Sequence, residues 1–294
     1  MPYLMAMRTV LLVLMMMVAP IAAAAEGWLH GDGGPGSRSA LDADLADAPF
    51  VLLGETHDNL HHHAAQAALL RAMVDVGRRP AVVWEMAPRD RQPAIDAWAS
   101  GPRSGDPDGF AEAVRWAESG WPDFALYRPI VDAAIDGGLA MVAGGLASAP
   151  TRSIAGGGLA ALGADLVDAW ALADPLPDDA LAAHLDAVFE GHCGLVPRDR
   201  LGAMVDVQVA RDASLAAAML GHPDGAVLIA GRGHVRSDIG VPLFLRRLAP
   251  ESRIVAVGLS EGSAGGPFDW SRAFPPAERE DPCVALRRHF GARQ

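Results

Sequence analysis

Five short runs of branched apolar residues, at 50–53, 81–84, 139–143, 226–230 and 254–257, set the strongest limit on what this chain can fold into. None alternates polar with apolar residues, so each needs cover on both faces, the condition of a strand in a parallel sheet. Stretches of helical period lie between them, the clearest at 60–76, 110–118, 124–135, 178–189, 200–220 and 241–248. Strand alternating with helix predicts an α/β fold: a mostly parallel central sheet flanked by helices. The interval 144–224 holds several helical stretches and no strand-like run, which predicts a helical insertion before the fourth strand. Residues 26–48, rich in Gly, Ser, Pro and Asp, read as a surface lead-in to a single α/β domain over 49–294.

The first 25 residues differ from the rest. Arg8 precedes an apolar run from Val10 to Ala19, and a small-residue stretch ends in Ala23, Ala24 and Ala25. This is the layout of a cleaved signal peptide, and the run is shorter than the roughly 20 residues of a spanning helix. The expectation is an exported mature protein, periplasmic or secreted, without an integral membrane anchor. Loss of Arg8 takes the formal charge from -12 to -13, which argues against nucleic acid as a partner. All 24 basic residues are Arg, so Schiff-base, phosphate-loop-lysine and Ser-Lys chemistry are excluded. The two cysteines, Cys193 and Cys283, are expected to form a disulfide in an oxidising compartment.

Two of the apolar runs end alike, VLLGETHD at 51–58 and VLIAGRGH at 227–234, each with a His three residues after a Gly. In open parallel sheets, ligands bind beyond the carboxyl ends of the strands, where loops and helix N-termini converge. Glu55 and His57 follow the first strand, Glu85 follows the second and His234 the fourth. Two carboxylates and two imidazoles on one rim suit a divalent transition metal with an open position, or metal-free acid–base catalysis by a carboxylate-oriented imidazole. Glu55, His57, Glu85 and His234 are therefore both the candidate catalytic set and the candidate metal ligands. The bland alternative for Glu55 is to cap the next helix, and for Thr56 and Asp58 it is turn and cap duty.

Other polar residues fall on apolar faces. Helical spacing puts His62 with Gln66 and Met73 and His63 with Ala67 and Leu70, leaving His61 nearest solvent. One face of 200–220 reads Leu201, Met204, Gln208, Arg211 and Leu215, so Arg211 needs a partner at Glu55 or Glu85, or at Asp212 and a loop. Tyr127 and Arg128 lie in an aromatic-rich segment, with Pro129 as a kink signal, that forms either a pocket wall or core.

VLLGETHDNLHHHAAQ, VVWEM, LYRPI, HCGLVP followed by QVARD, and GRGHVRSDIGVP together resemble the ChaN-like haem-binding uptake family, grouped with the Tiki and erythromycin-esterase-like proteins. The resemblance runs in order over nearly the whole chain after residue 25. It implies export and haem binding linked to iron uptake, in some members between two subunits, and hence a homodimer. The candidate haem-binding residues are then Tyr127, Arg128, His62, His63 and Arg211. With Tyr3 in the signal segment, a tyrosinate ligand has to be Tyr127. The Tiki relatives use two GxxH motifs and a Glu as a metal-dependent peptidase site, which fall here on His57, His234 and either Glu55 or Glu85. The alternative function is thus a metal-dependent hydrolase, peptidase- or esterase-like, acting on a small molecule or peptide.

Overall fold

The computed structural model describes residues 27–291, so the signal segment lies outside the described residues. Along the chain come β1 (Trp28–His30), β2 (Pro35–Gly36), α1 (Arg38–Asp47), β3 (Phe50–Glu55), α2 (Leu60–Asp75), β4 (Ala81–Pro88), α3 (Gln92–Ala99) and α4 (Pro107–Ala113). Next are α5 (Trp116–Ser119), α6 (Phe124–Asp136), β5 (Met141–Gly145), α7 (Ser148–Gly157), α8 (Ala164–Ala169), α9 (Asp178–Gly191) and α10 (Gly202–Met219). The chain closes with β6 (Ala226–Gly231), α11 (Val241–Leu248), β7 (Ile254–Glu261), β8 (Trp270–Phe274) and α12 (Pro282–Gly291).

The strands form one sheet in the order β2-β1-β8-β7-β3-β6-β4-β5. From β8 to β5 every neighbouring pair is parallel, and the five apolar runs of the sequence are the consecutive strands β7, β3, β6, β4 and, at the edge, β5. Their side chains alternate between two cores. Val51, Leu53, Val82, Trp84, Val227 and Ile229 pack with Leu70 and Met73 of α2 and Ile130 of α6. Leu52, Val83, Leu228 and Ala230 pack on the other face with Val205 and Val209 of α10 and Phe244 of α11. Helices α7 to α10 are the predicted insertion before β6. No helix among the described residues is long and apolar enough to cross a membrane.

Two readings need correction. Residues 27–48 are not a surface lead-in: β1 and β2 extend the sheet in antiparallel fashion, and Trp28, Leu41 and Leu45 are buried in the core. The apolar positions there are too few to give a periodic signal, yet each is a large anchor. The single helix expected over 110–118 is two, because Arg115 adopts φ 57 and breaks α4 from α5. A cation at φ > 0 carries no sequence signal of the kind a Gly would. Cys193 and Cys283 form the expected disulfide, with a Cα–Cα distance of 5.6 Å, tying α12 to the loop after α9.

Candidate functional site

Glu55 ends β3 and its register partner Gly231 ends β6; one strand further, Glu85 follows Trp84 on β4. The alternation of side chains along each strand decides where these carboxylates point. Glu55 continues the face of Val51 and Leu53 and enters the α2/α6 layer. Glu85 continues the face of Val83 and enters the α10 layer. The two acids therefore meet one rim from opposite faces of the sheet.

His57 spans the gap between them. Its Nδ1 lies 3.0 Å from Glu55 Oε1 and its Nε2 3.8 Å from Glu85 Oε2. The ring passes directly over Gly231, where a Cβ would stand 2.7 Å from Nε2. On the far face, His234 Nε2 is 3.2 Å from Glu85 Oε1, and its Nδ1 is 2.6 Å from Asp212 Oδ1. On the near face, Tyr127 donates to Glu55 Oε1 at 2.6 Å, and His63 Nε2 stands 3.1 Å from Glu55 Oε2, off the line of a hydrogen bond. Acids and imidazoles thus alternate in one chain from Glu55 through His57, Glu85 and His234 to Asp212.

Burial and charge set the protonation of this chain. Burial pushes the Glu55 carboxyl up, but the hydrogen bond from His57 and the close His63 imidazole outweigh it and hold the pKa at about 2. Glu85 is likewise opposed by burial, yet is held well below the carboxylate range by the charge of His234 and the 2.7 Å bond from the Gly231 N–H. Burial disfavours a charged His234, but Glu85 and Asp212 on its two sides raise its pKa to about 10. His57 is raised too, against burial, by Glu55 and Glu85. Burial raises the Asp212 carboxyl.

The remaining candidates divide. His62 is fully buried and committed to the scaffold: Nδ1 accepts from the Thr56 N–H at 2.9 Å, and Nε2 faces the Ser260 carbonyl at 3.3 Å. His63 is buried against the Tyr127 ring, centroids 4.0 Å apart. Tyr127 is also fully buried, and burial followed by the Glu55 charge drives its hydroxyl above the ordinary phenol value. A tyrosinate at Tyr127 is thus opposed by its surroundings. Arg128 points away, pairing with Asp108 and lying over the Phe124 ring. Arg211 forms no ion pair with Glu55, Glu85 or Asp212; it lines a cleft with Glu85 and Trp121. The helix cap is not Glu55 but Asn59, which accepts from the His61 and His62 N–H groups.

Asp212, read from the sequence only as a candidate partner for Arg211, is instead the partner of His234. Its signal is the stripe Val205, Val209, Asp212, Ala216 and Met219, an acid at a core position of α10, which adjoins the stripe that contains Arg211. His184 of α9, buried with Nε2 unbonded, is a second buried group near His234 that spacing alone did not single out.

The metal reading of Glu55, His57, Glu85 and His234 is not met by this arrangement. Among the described residues no group of three or more His, Cys, Asp or Glu is placed to hold a metal ion. The donor atoms are turned toward one another in acid–imidazole pairs instead of toward a common point.

Haem is different, because it needs one axial donor and apolar walls rather than a closed ligand cage. The His57 side chain is 31% exposed, whereas those of Glu55 and His63 are fully enclosed. Trp121 covers it with ring centroids 4.7 Å apart, and beyond Trp121 lies a cavity of about 560 Å³ walled by Trp116, Trp121 and Phe124. His57 stands one indole away from that cavity, whose wall also carries Asp108, Glu112, Glu118 and Asp123; with its Nδ1 held by a carboxylate it is the partly exposed imidazole this site offers the group.

Comparison with known proteins follows the same line. The sequence profile described as "Haem-binding uptake, Tiki superfamily, ChaN" matches residues 41–245. Among solved structures, that described as cofacial heme binding to ChaN of Campylobacter jejuni is similar with a TM-score of 0.70 and 21% identity, covering 83% of this chain and 94% of that one. An erythromycin esterase mutant, EreC in its open conformation, aligns at a TM-score of 0.44 and 15% identity over 89% of this chain and 86% of that one. No curated protein matches. With the profile spanning well over half its length, the chain belongs to the ChaN family of haem-binding uptake proteins in the Tiki superfamily.

Proposed function

We propose that this protein is an exported haem-binding protein of iron uptake, with haem as its cargo and His57 as the axial donor. The family match over residues 41–245 carries the reading. The His57 ring, partly exposed and hydrogen-bonded through Nδ1 to Glu55, supports it locally. A carboxylate on the far nitrogen fixes the tautomer and orientation of a ligating imidazole. The segment around Arg8 and the Cys193–Cys283 disulfide support export to an oxidising compartment. In that role the chain's own residues orient the donor, with Trp121 and Trp116 supplying apolar cover.

Haemin titration of the purified protein, followed by the Soret band, is the test. The expected outcome is a saturable band that is lost or shifted in His57→Ala and kept in Tyr127→Phe. Absence of a saturable band, or loss in Tyr127→Phe alone, sinks the assignment of His57.

Hydrolysis without a metal is a second reading, favoured by one observation: the buried Asp212 holds Nδ1 of His234 at 2.6 Å while Nε2 meets Glu85. A His234 kept protonated serves as a general acid to a leaving group. Hydrolysis of an activated aryl ester that persists in chelator and falls at least tenfold in His234→Ala supports it, and an unchanged rate removes it.

A further inference from the structure

Most described arginines of this acidic chain are bound to a carboxylate or a carbonyl, as Arg103, Arg198, Arg236, Arg253 and Arg279 are to acids. Three that have no hydrogen bond, ion pair or ring contact among the described residues, Arg91, Arg152 and Arg211, line one cleft. Its inner part, about 240 Å³, is bounded by Glu85, Trp121, Ser148 and Arg211. Its outer part, about 360 Å³, is bounded by Arg91, Arg152 and, again, Ser148. Arg91 and Arg211 are half-buried, which is costly for a guanidinium without a counter-charge.

The acids of the cleft are already engaged. Glu85 is taken by His234 and the Gly231 N–H, and Glu118 is ion-paired with Arg115. Asp90, exposed at the outer end, is the remaining carboxylate. Where the two parts join, α7 begins at Ser148 behind Ala147, which offers no side-chain acceptor to the first-turn N–H groups. That end of a helix carries partial positive charge. Unpaired guanidinium groups and an uncapped helix start therefore face one space that opens on the acid–imidazole chain.

We propose that this cleft is a carboxylate-binding subsite: the ligand held at His57 presents an anionic carboxylate to Arg211, and a second to Arg91 and Arg152. The planar fork of Arg suits bidentate carboxylate recognition. The inference rests on the haem reading only for the identity of its ligand, since porphyrin propionates and a free dicarboxylate offer the same group.

Two arms separate the sources. In the first, haemin and haemin dimethyl ester are titrated into the wild-type protein, Arg211→Gln, Arg91→Gln/Arg152→Gln and Arg200→Gln. Arg200 is exposed and outside the cleft, so it reports the effect of charge loss alone. Arg211→Gln should weaken haemin by about tenfold or more, the loss of one charge-assisted bond, and the double variant should also weaken it. The ester should bind wild type and Arg211→Gln alike. Equal haemin affinity in wild type and Arg211→Gln, or equal losses in Arg200→Gln and Arg211→Gln, overturns the subsite.

In the second arm, adipate is titrated against tryptophan fluorescence, with circular dichroism confirming each variant folded. A saturable response in wild type that Arg211→Gln loses supports the subsite even if haemin fails to bind, in which case the haem reading alone falls. When haemin does not bind, an adipate response absent from wild type or unchanged in Arg211→Gln overturns it.

Discussion

At the scale of the residue, the glycines that open both GxxH motifs act by close approach. Neither Gly54 nor Gly231 has a positive φ. A Cβ on Gly54 would stand 2.2 Å from Val235 Cγ2 and 3.1 Å from the Arg232 backbone. On Gly231 it would enter the space of His57 Nε2. Gly231→Ala should therefore displace the His57 ring and weaken haemin binding, while overpacking costs about 1–3 kcal/mol of stability. Unchanged spectra and affinity in that variant would contradict the placement of His57. Titration gives a second residue-scale expectation. Ionised Glu55, ordinarily near 4.5 and held at about 2, contributes stability that is complete above pH 4.5 and lost as pH falls toward 2. Protonated His234, ordinarily near 6.5 and raised to about 10, contributes stability that is complete below pH 6.5 and lost as pH rises toward 10. Asp212, raised by burial above its ordinary 3.8, contributes the opposite way to Glu55: its stabilisation is complete below pH 3.8 and is lost as pH rises through its folded value. Thermal melts should give the highest Tm between about pH 4.5 and 6.5, with a smaller alkaline decline in Glu85→Gln. A Tm still rising from pH 7 to 9 would contradict this.

Elements were legible where their residues repeat a period and obscure where one residue does the work. Helices α2, α6, α9, α10 and α11 stand close to their expected bounds, and β3, β4, β6 and β7 begin where expected because each opens on a continuous apolar run, though β4 and β7 run four residues further. β1, β2 and α1 escaped notice: their contribution rests on Trp28, Leu41 and Leu45, a few anchors without period. The site shows the same split. GxxH at 54–57 and 231–234 and the strand-end acids identified four members of the alternating chain, since the carboxyl end of a parallel strand is legible from its apolar run. Asp212 was hidden because the two stripes of α10 lie one residue apart, so nothing local says which faces the sheet. Crosslinking acts at this scale too. Cys193 and Cys283 close a loop with a sequence separation of 90, which in the chain-entropy picture is worth about 4.6 kcal/mol. Reduction should lower Tm and raise hydrogen exchange first in α12 and the end of α9, with β3 and β6 still protected. Uniform loss of protection would show that the crosslink supports the whole sheet instead.

Over the whole molecule, alternation along the strands explains why a single rim serves two layers. One residue separates a side chain facing α2 and α6 from one facing α10, so Glu55 and Glu85 enter different cores although their strand ends are near neighbours. The sequence could place both acids at strand ends, but their opposite facing depends on register: Leu53 and Trp84 both pair with Ile229, so Glu55, two residues on, keeps their face and Glu85, one residue on, takes the other. The imidazole of His57 is then the bridge at the rim, with Nδ1 beside the acid of one layer and Nε2 beside the acid of the other, so it couples the charge of the two sides. Replacing that ring with an apolar one should cut a single coupled acid into two separate ones. Tyr127 and Glu55 would titrate in one compartment, and Glu85, His234 and Asp212 in the other, each unaware of the protonation of its counterpart.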